Sequence, residues 1–161
     1  MKGSSFSTSC CKRDKTGIVL YQKVNKAHKY INYPEDTLGQ KIRKKRFLRN
    51  LTAAQLGNLC GCTEQAIYAY ESGVNPPHHS IMEKICLALK VPVGYFEDDY
   101  YNFILSDKYT SFIRQWRKKN TKRCDDVGKM LGVSIITYLD WEKGKRMSRD
   151  TFEKIRGKIG K

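Results

Sequence analysis

A chain of 161 residues with 40% hydrophobic content has room for one domain or two small ones, and its 31 Lys and Arg against 16 Asp and Glu leave a formal charge of +15. That excess favours a polyanionic partner, nucleic acid or an anionic membrane surface. No run approaches the roughly 18 apolar residues that span a bilayer, and the stretch Ile18 to Tyr21 is too short for a signal-peptide core, so no membrane association is expected and the chain is placed in the cytoplasm.

Residues 1–36 are rich in Ser and Lys and lack periodicity. They read as a basic N-terminal arm, disordered to about Thr16, with 17–33 able to form a short strand or a docked extension. Residues 37–50, TLGQKIRKKRFLRN, form the first expected helix, with Thr37 as its cap and Leu38, Ile42 and Phe47 facing inward. Residues 51–73, LTAAQLGNLCGCTEQAIYAYESG, read as two short helices about a tight corner. Thr52 caps the first, which points Leu56, Leu59 and Cys60 one way. Gly61 breaks it, and Thr63 caps the second, with Ile67 and Tyr70 inward. Gly57 costs roughly 1 kcal/mol relative to alanine in a helix and is read as a point of close helix approach. Pro76 and Pro77 then hold a stiff loop until Ser80 caps a helix carrying Ile81, Ile85, Cys86 and Leu89 on one face. Adjacent His78 and His79 are read as solvent-exposed loop residues.

Thr52, Leu56, Gly57, Gly61, Thr63, Ile67 and Glu71 together resemble the helix-turn-helix of the phage-repressor family, Cro-like or XRE, over residues 37–96. The resemblance implies five short helices, the second of the central pair entering the major groove of double-stranded DNA. It places Glu64, Gln65 and Tyr68 at base-reading positions, where Gln can take adenine bidentately and Glu can accept from a cytosine amine. It also implies an Arg46–Glu71 ion pair tying the first helix to the third. The family often has glutamine as a phosphate anchor where this chain has Ala53, so Arg49, Asn50, Thr52, Thr63 and the helix amide ends are the candidates for backbone contact.

Residues 97–108 are an acidic aromatic linker too apolar to run free, with either domain or another copy as its resting place. A shift of 71 residues then aligns Arg46 with Arg117, Gly57 with Gly128, Gly61 with Gly132, Thr63 with Ser134 and Glu71 with Glu142. Residues 109–161 are therefore expected to be a second, degenerate copy with its own Arg117–Glu142 pair. Its base-reading positions hold Ile135, Ile136 and Leu139, which offer no hydrogen bonds and are protein-contact candidates. Lys143, Lys145, Arg146 and Arg149 make its following loop basic and suit it to gripping DNA backbone.

The expected architecture is all-α, two tandem lambda-repressor-like helix-turn-helix bundles behind a basic, partly disordered arm. The expected function is a sequence-specific, repressor-like transcriptional regulator, with the second domain as backbone clamp or as the contact of a homodimer. The alternative is a protein-binding module, an antirepressor or inhibitor built on the same scaffold. No enzyme is expected: His28, His78 and His79 have no nucleophile motif beside them, and the adjacent pairs Asp98–Asp99 and Asp125–Asp126 diverge. No cofactor or metal is expected either, because Cys10, Cys11, Cys60, Cys62, Cys86 and Cys124 lack metal-ligand spacing, and Cys60 and Cys86 read as compact hydrophobes.

Overall fold

The computed structural model describes residues 30–121 and 123–160, with Cys124 described by its backbone alone, and two short strands ahead of them. Strand β1 (Lys12–Arg13) pairs antiparallel with β2 (Val19–Leu20). Lys12 and Arg13 thus lie in a ladder where disorder was expected; the same expectation for the rest of 1–16 falls outside the described residues. Every described residue from 38 onward is in a helix or in connecting chain.

Helix α1 (Leu38–Leu48) starts at Thr37, whose hydroxyl accepts from the Gln40 amide while Gln40 bonds back to the Thr37 amide. Helices α2 (Ala53–Cys60) and α3 (Glu64–Ser72) are capped by Thr52 and Thr63. The corner between them turns at Gly61, whose φ of 71° suits glycine. Gly57 has a direct reason for lacking a side chain, since a Cβ there would lie 2.6 Å from the Cys62 carbonyl oxygen. Helix α4 (His79–Leu89) begins one residue before the expected start. Its cap is His78 and not Ser80, the His78 ring accepting from the Ser80 amide at 3.4 Å. A 3₁₀ turn, Val93–Phe96, buries Phe96 and closes this bundle around Ile42, Leu56, Ile67, Met82 and Ile85.

Two expected inward residues face elsewhere. Leu59 is 59% exposed, because an eight-residue helix buries only the stripe through Leu56 and Cys60. Phe47 leaves the core for the N-terminal segment, stacking on Tyr30 at 3.9 Å between ring centres. That segment is further held by Glu35, which pairs with Lys44 at 3.3 Å and accepts from the Tyr95 hydroxyl. The hydrogen bond from Tyr95 lowers the Glu35 pKa. So the end of the expected arm, residues 30–36, is docked chain.

The expected linker is a helix, α5 (Asp99–Ile104), with Tyr100, Tyr101, Phe103 and Ile104 all buried. It joins the two halves. Tyr101 donates to the Pro77 carbonyl before α4, and Tyr100 donates at 2.9 Å to the Met147 carbonyl. The two acceptors lie 70 residues apart in the chain, so adjacent tyrosines on one short helix bond to both halves. Phe103 stacks on Phe152 at 5.5 Å and meets Tyr109 and Phe112 edge-on.

The remaining helices are α6 (Tyr109–Asn120), α7 (Cys124–Leu131), α8 (Ile135–Glu142) and α9 (Arg149–Ile159). The first three begin 71 residues after α1, α2 and α3, and α9 begins 70 after α4. The corner Gly132 has φ 74°, and a Cβ on Gly128 would sit 2.7 Å from the Val133 carbonyl oxygen. Val127, Leu131, Tyr138, Trp141, Phe152 and Ile155 are buried beneath these helices and continuous with the first core.

Candidate nucleic-acid interface

Helix α3 is held from beneath. Ile67 has no exposure, and Arg46 grips Glu71 through two parallel bonds, Nε to Oε1 at 2.5 Å and Nη2 to Oε2 at 2.8 Å. Burial works against the charge on Arg46, but the hydrogen bond and attraction of Glu71 outweigh it and its pKa is raised. Sequence reasoning missed Gly39, where a Cβ would strike the backbone carbonyls of Tyr70 and Glu71. That glycine lets α1 lie directly against the end of α3, and only the packing reveals it. Lys41, in what reads as a solvated basic run, is likewise buried, bonded to Glu97 and the Phe96 carbonyl.

The outward face of α3 carries Glu64, Gln65 and Tyr68. Tyr68 is 51% exposed and donates to Glu64 Oε1 at 2.9 Å, the i,i+4 geometry of one helical turn. That bond raises the Tyr68 pKa. Gln65 is exposed, and its amide makes no side-chain hydrogen bond among the described residues. Below it, Thr52 and Thr63 are exposed at the N-termini of α2 and α3, with their hydroxyl oxygens accepting cap bonds at 3.1 and 3.2 Å. Exposed Asn50 has φ 53°, and Arg49 turns its Nε to the Leu89 carbonyl at 3.0 Å.

Helix α8 is anchored by the same kind of device. Arg117 meets Glu142 at 2.7 and 3.2 Å, and Arg114 donates to the Glu142 carbonyl at 2.6 Å. Tyr138, fully buried, donates to the Ile113 carbonyl at 2.7 Å. Ile136 of α8 is 70% exposed and Met130 of α7 42%, whereas Ile135 and Leu139 are only half-exposed.

The basic loop after α8 divides. Lys143 is exposed, and Lys145 is exposed with a 3.1 Å pair to Asp140. Arg149, expected on DNA backbone, instead pairs with Asp98 at 3.0 Å and lies over the Tyr100 and Tyr101 rings. Arg146, expected there too, is half-buried over the Tyr109 ring at 4.8 Å. Both serve the junction because a guanidinium stacks on the aromatic rings that α5 and α6 gather there. His79 is also at this junction and not in solvent: burial, then His78 and Arg146, lowers its pKa.

The buried Cys60 and Cys86 thiols are each pushed up to about 11 by burial. Among the described residues no group of three or more His, Cys, Asp or Glu lies where it holds a metal ion, and no helix is long and apolar enough to cross a membrane.

Comparison with known proteins decides the type of unit that carries α3. The model of the Helix-turn-helix family matches residues 41–96. Residues 41–96 form a helix-turn-helix domain. An uncharacterized HTH-type transcriptional regulator of Sinorhizobium fredii is 38% identical over 71 residues, 44% of this chain and 50% of that protein. Uncharacterized HTH-type transcriptional regulators of Sinorhizobium medicae and Rhizobium meliloti are each 36% identical over 62 residues, 38% of this chain and 45% of theirs. The chain thus spans about half the length of the curated relatives it matches. No solved structure matches.

Proposed function

We propose that this chain is a sequence-specific double-stranded DNA-binding transcriptional regulator, repressor-like, in which the helix-turn-helix domain reads base edges through α3. The observation that carries the reading is Gln65, outward and unbonded on a helix fixed by Ile67 and the Arg46–Glu71 fork. An unpaired amide on a rigid helix face is the group that takes adenine bidentately in the major groove. Tyr68 and Glu64 arrive already paired, and Asn50, Thr52, Thr63 and the helix amides are the backbone contacts. The similarity to HTH-type transcriptional regulators supports the regulatory role.

Helices α6–α9 are proposed to be a second, degenerate copy of the domain. Their starts, the Gly128 contact and the Arg117–Glu142 fork support this reading. Lys143 and Lys145 are its proposed backbone contacts. Exposed Ile136 favours a second reading, in which this half contacts protein, either a partner or another copy in a homodimer.

Gel shifts on a duplex selected from random DNA test the main reading. Gln65→Ala is expected to cost roughly 1–3 kcal/mol and relax specificity, whereas Lys145→Ala should weaken every sequence alike and reduce the salt slope by about one. A chain indifferent to all duplexes at low salt overturns it.

A further inference from the structure

The short helix α5 is held unequally by the two halves. Toward the second half, Asp98 pairs with Arg149 at 3.0 Å, Asp99 pairs with Arg156 at 2.8 Å, Tyr100 bonds to the Met147 carbonyl and Phe103 stacks on Phe152. Toward the first half, the Tyr101 hydroxyl donates to the Pro77 carbonyl, and Glu97 ahead of α5 takes Lys41. That weaker hold ends at Pro77, and the next two residues are His78 and His79.

His79 is poorly placed to take a proton. Its ring centre lies 3.9 Å from that of His78, and its Nδ1 is buried with no hydrogen-bond partner among the described residues. It is the first residue of α4, whose first turn holds no acid, so the positive end of the helix dipole bears on it. The charges that face it along its own chain are His78 and Glu83. Across the seam is Arg146, which lies over the Tyr109 ring with a buried, unpartnered Nη1. On the α5 side is Tyr101, over whose ring Arg149 is closed by Asp98. Glu83, exposed and one turn on, is the acid left to favour a cation. An imidazolium carries a proton on both nitrogens, so a charged His79 buries a donor without an acceptor, against a second imidazole and a guanidinium. The same charge is stable once the seam opens to water.

We propose that His79 makes the joint between the halves proton-sensitive: in acid, the start of α4 lets go of Tyr101, α5 stays with the second half, and the two halves become independent. The coupled state binds the fewer protons, because burial and then His78 and Arg146 hold the His79 pKa below its ordinary value. Coupling is therefore complete above about pH 6.5 and is lost as pH falls through the lower folded value. Nothing in this depends on what either half binds.

The test uses the full chain. Its two tryptophans, Trp116 and Trp141, both lie in the second half, so their fluorescence reports that half while far-UV circular dichroism reports both. At pH 7.5 the two thermal midpoints are expected to coincide, and at pH 5 to separate by about 4 °C or more. Below both midpoints, small-angle scattering is expected to give a larger radius of gyration at pH 5 than at pH 7.5. His79→Gln should abolish both changes, and Arg146→Met, which keeps an apolar stem over Tyr109, should reduce them. Midpoints that coincide at both pH values, or differ equally at both, overturn the inference. So does an acid expansion that persists in full in His79→Gln, which assigns it to another group. Should His79→Gln not fold, Arg146→Met decides, and an undiminished acid separation in that variant overturns the inference.

Discussion

Helices α3 and α8 stand on similar supports and present opposite chemistry. Beneath each is an arginine–glutamate fork, a glycine at the close approach and a fully buried anchor, Ile67 or Tyr138. Above, α3 offers Gln65 and the Tyr68–Glu64 pair, whereas α8 offers Ile136. The charges divide the other way. From Asn50 to Glu83 the chain has no Lys or Arg, while the matching stretch of the second half has Lys122, Arg123, Lys129, Lys143, Lys145, Arg146 and Arg149. The lesson is that support and exposed face are separable: the forks and glycines beneath the two helices correspond while the outward side chains and their charge differ, because only the buried members are constrained by packing.

The comparison breaks most sharply at the forks. The Arg46 and Glu71 side chains are 5% and 3% exposed, against 19% and 12% for Arg117 and Glu142. Arg46→Ala removes both close bonds to a buried carboxylate and leaves it only Arg43, whose Nε is 3.9 Å away, and is expected to cost about 3–5 kcal/mol, with Arg117→Ala costing about half as much because water reaches Glu142. Denaturant unfolding of the two variants measures both, and equal losses would show that the forks are equivalent.

A second difference lies in how closely the first helix of each half approaches the third. Gly39 touches the Tyr70 and Glu71 carbonyls, and its counterpart in α6 is Thr110. Gly39→Ala forces backbone against backbone and is expected to cost about 1–3 kcal/mol. Thr110→Ala, at a half-exposed position, should change stability by less than about 0.5 kcal/mol. Thermal melts of the pair check the contrast.

The smallest effect is expected where α4 and α9 begin, His79 in one half and Arg149 in the other. Burial, then His78 and Arg146, holds the folded pKa of His79 below its ordinary value, so the fold favours the neutral ring. Its contribution is complete above about pH 6.5, the unfolded value, and is lost as pH falls through the lower folded pKa. His79→Gln is expected to flatten the decline of the melting temperature between pH 6.5 and 5. An unchanged slope would place the acid sensitivity elsewhere.

The sequence by itself determined the helix starts at Thr37, Thr52 and Thr63, the turn at Gly61 and the orientation of Ile67, because caps, corners and helical periodicity are local. It also exposed the 71-residue recurrence, which needs only residue types in register. It misassigned Ser80 as a cap, since His78 caps by a ring nitrogen that propensity does not anticipate. Tertiary structure alone decided that residues 97–108 contain a buried helix and that Arg146 and Arg149 face inward. It likewise decided that Gly39 is a contact point and Lys41 a buried cation. Each of those depends on a partner 24 to 56 residues away in chain order, as Tyr101 depends on Pro77 and Lys41 on Glu97. A guanidinium or phenol reads the same on paper whether it meets water, phosphate or a neighbouring ring, and only the packed chain chooses among them.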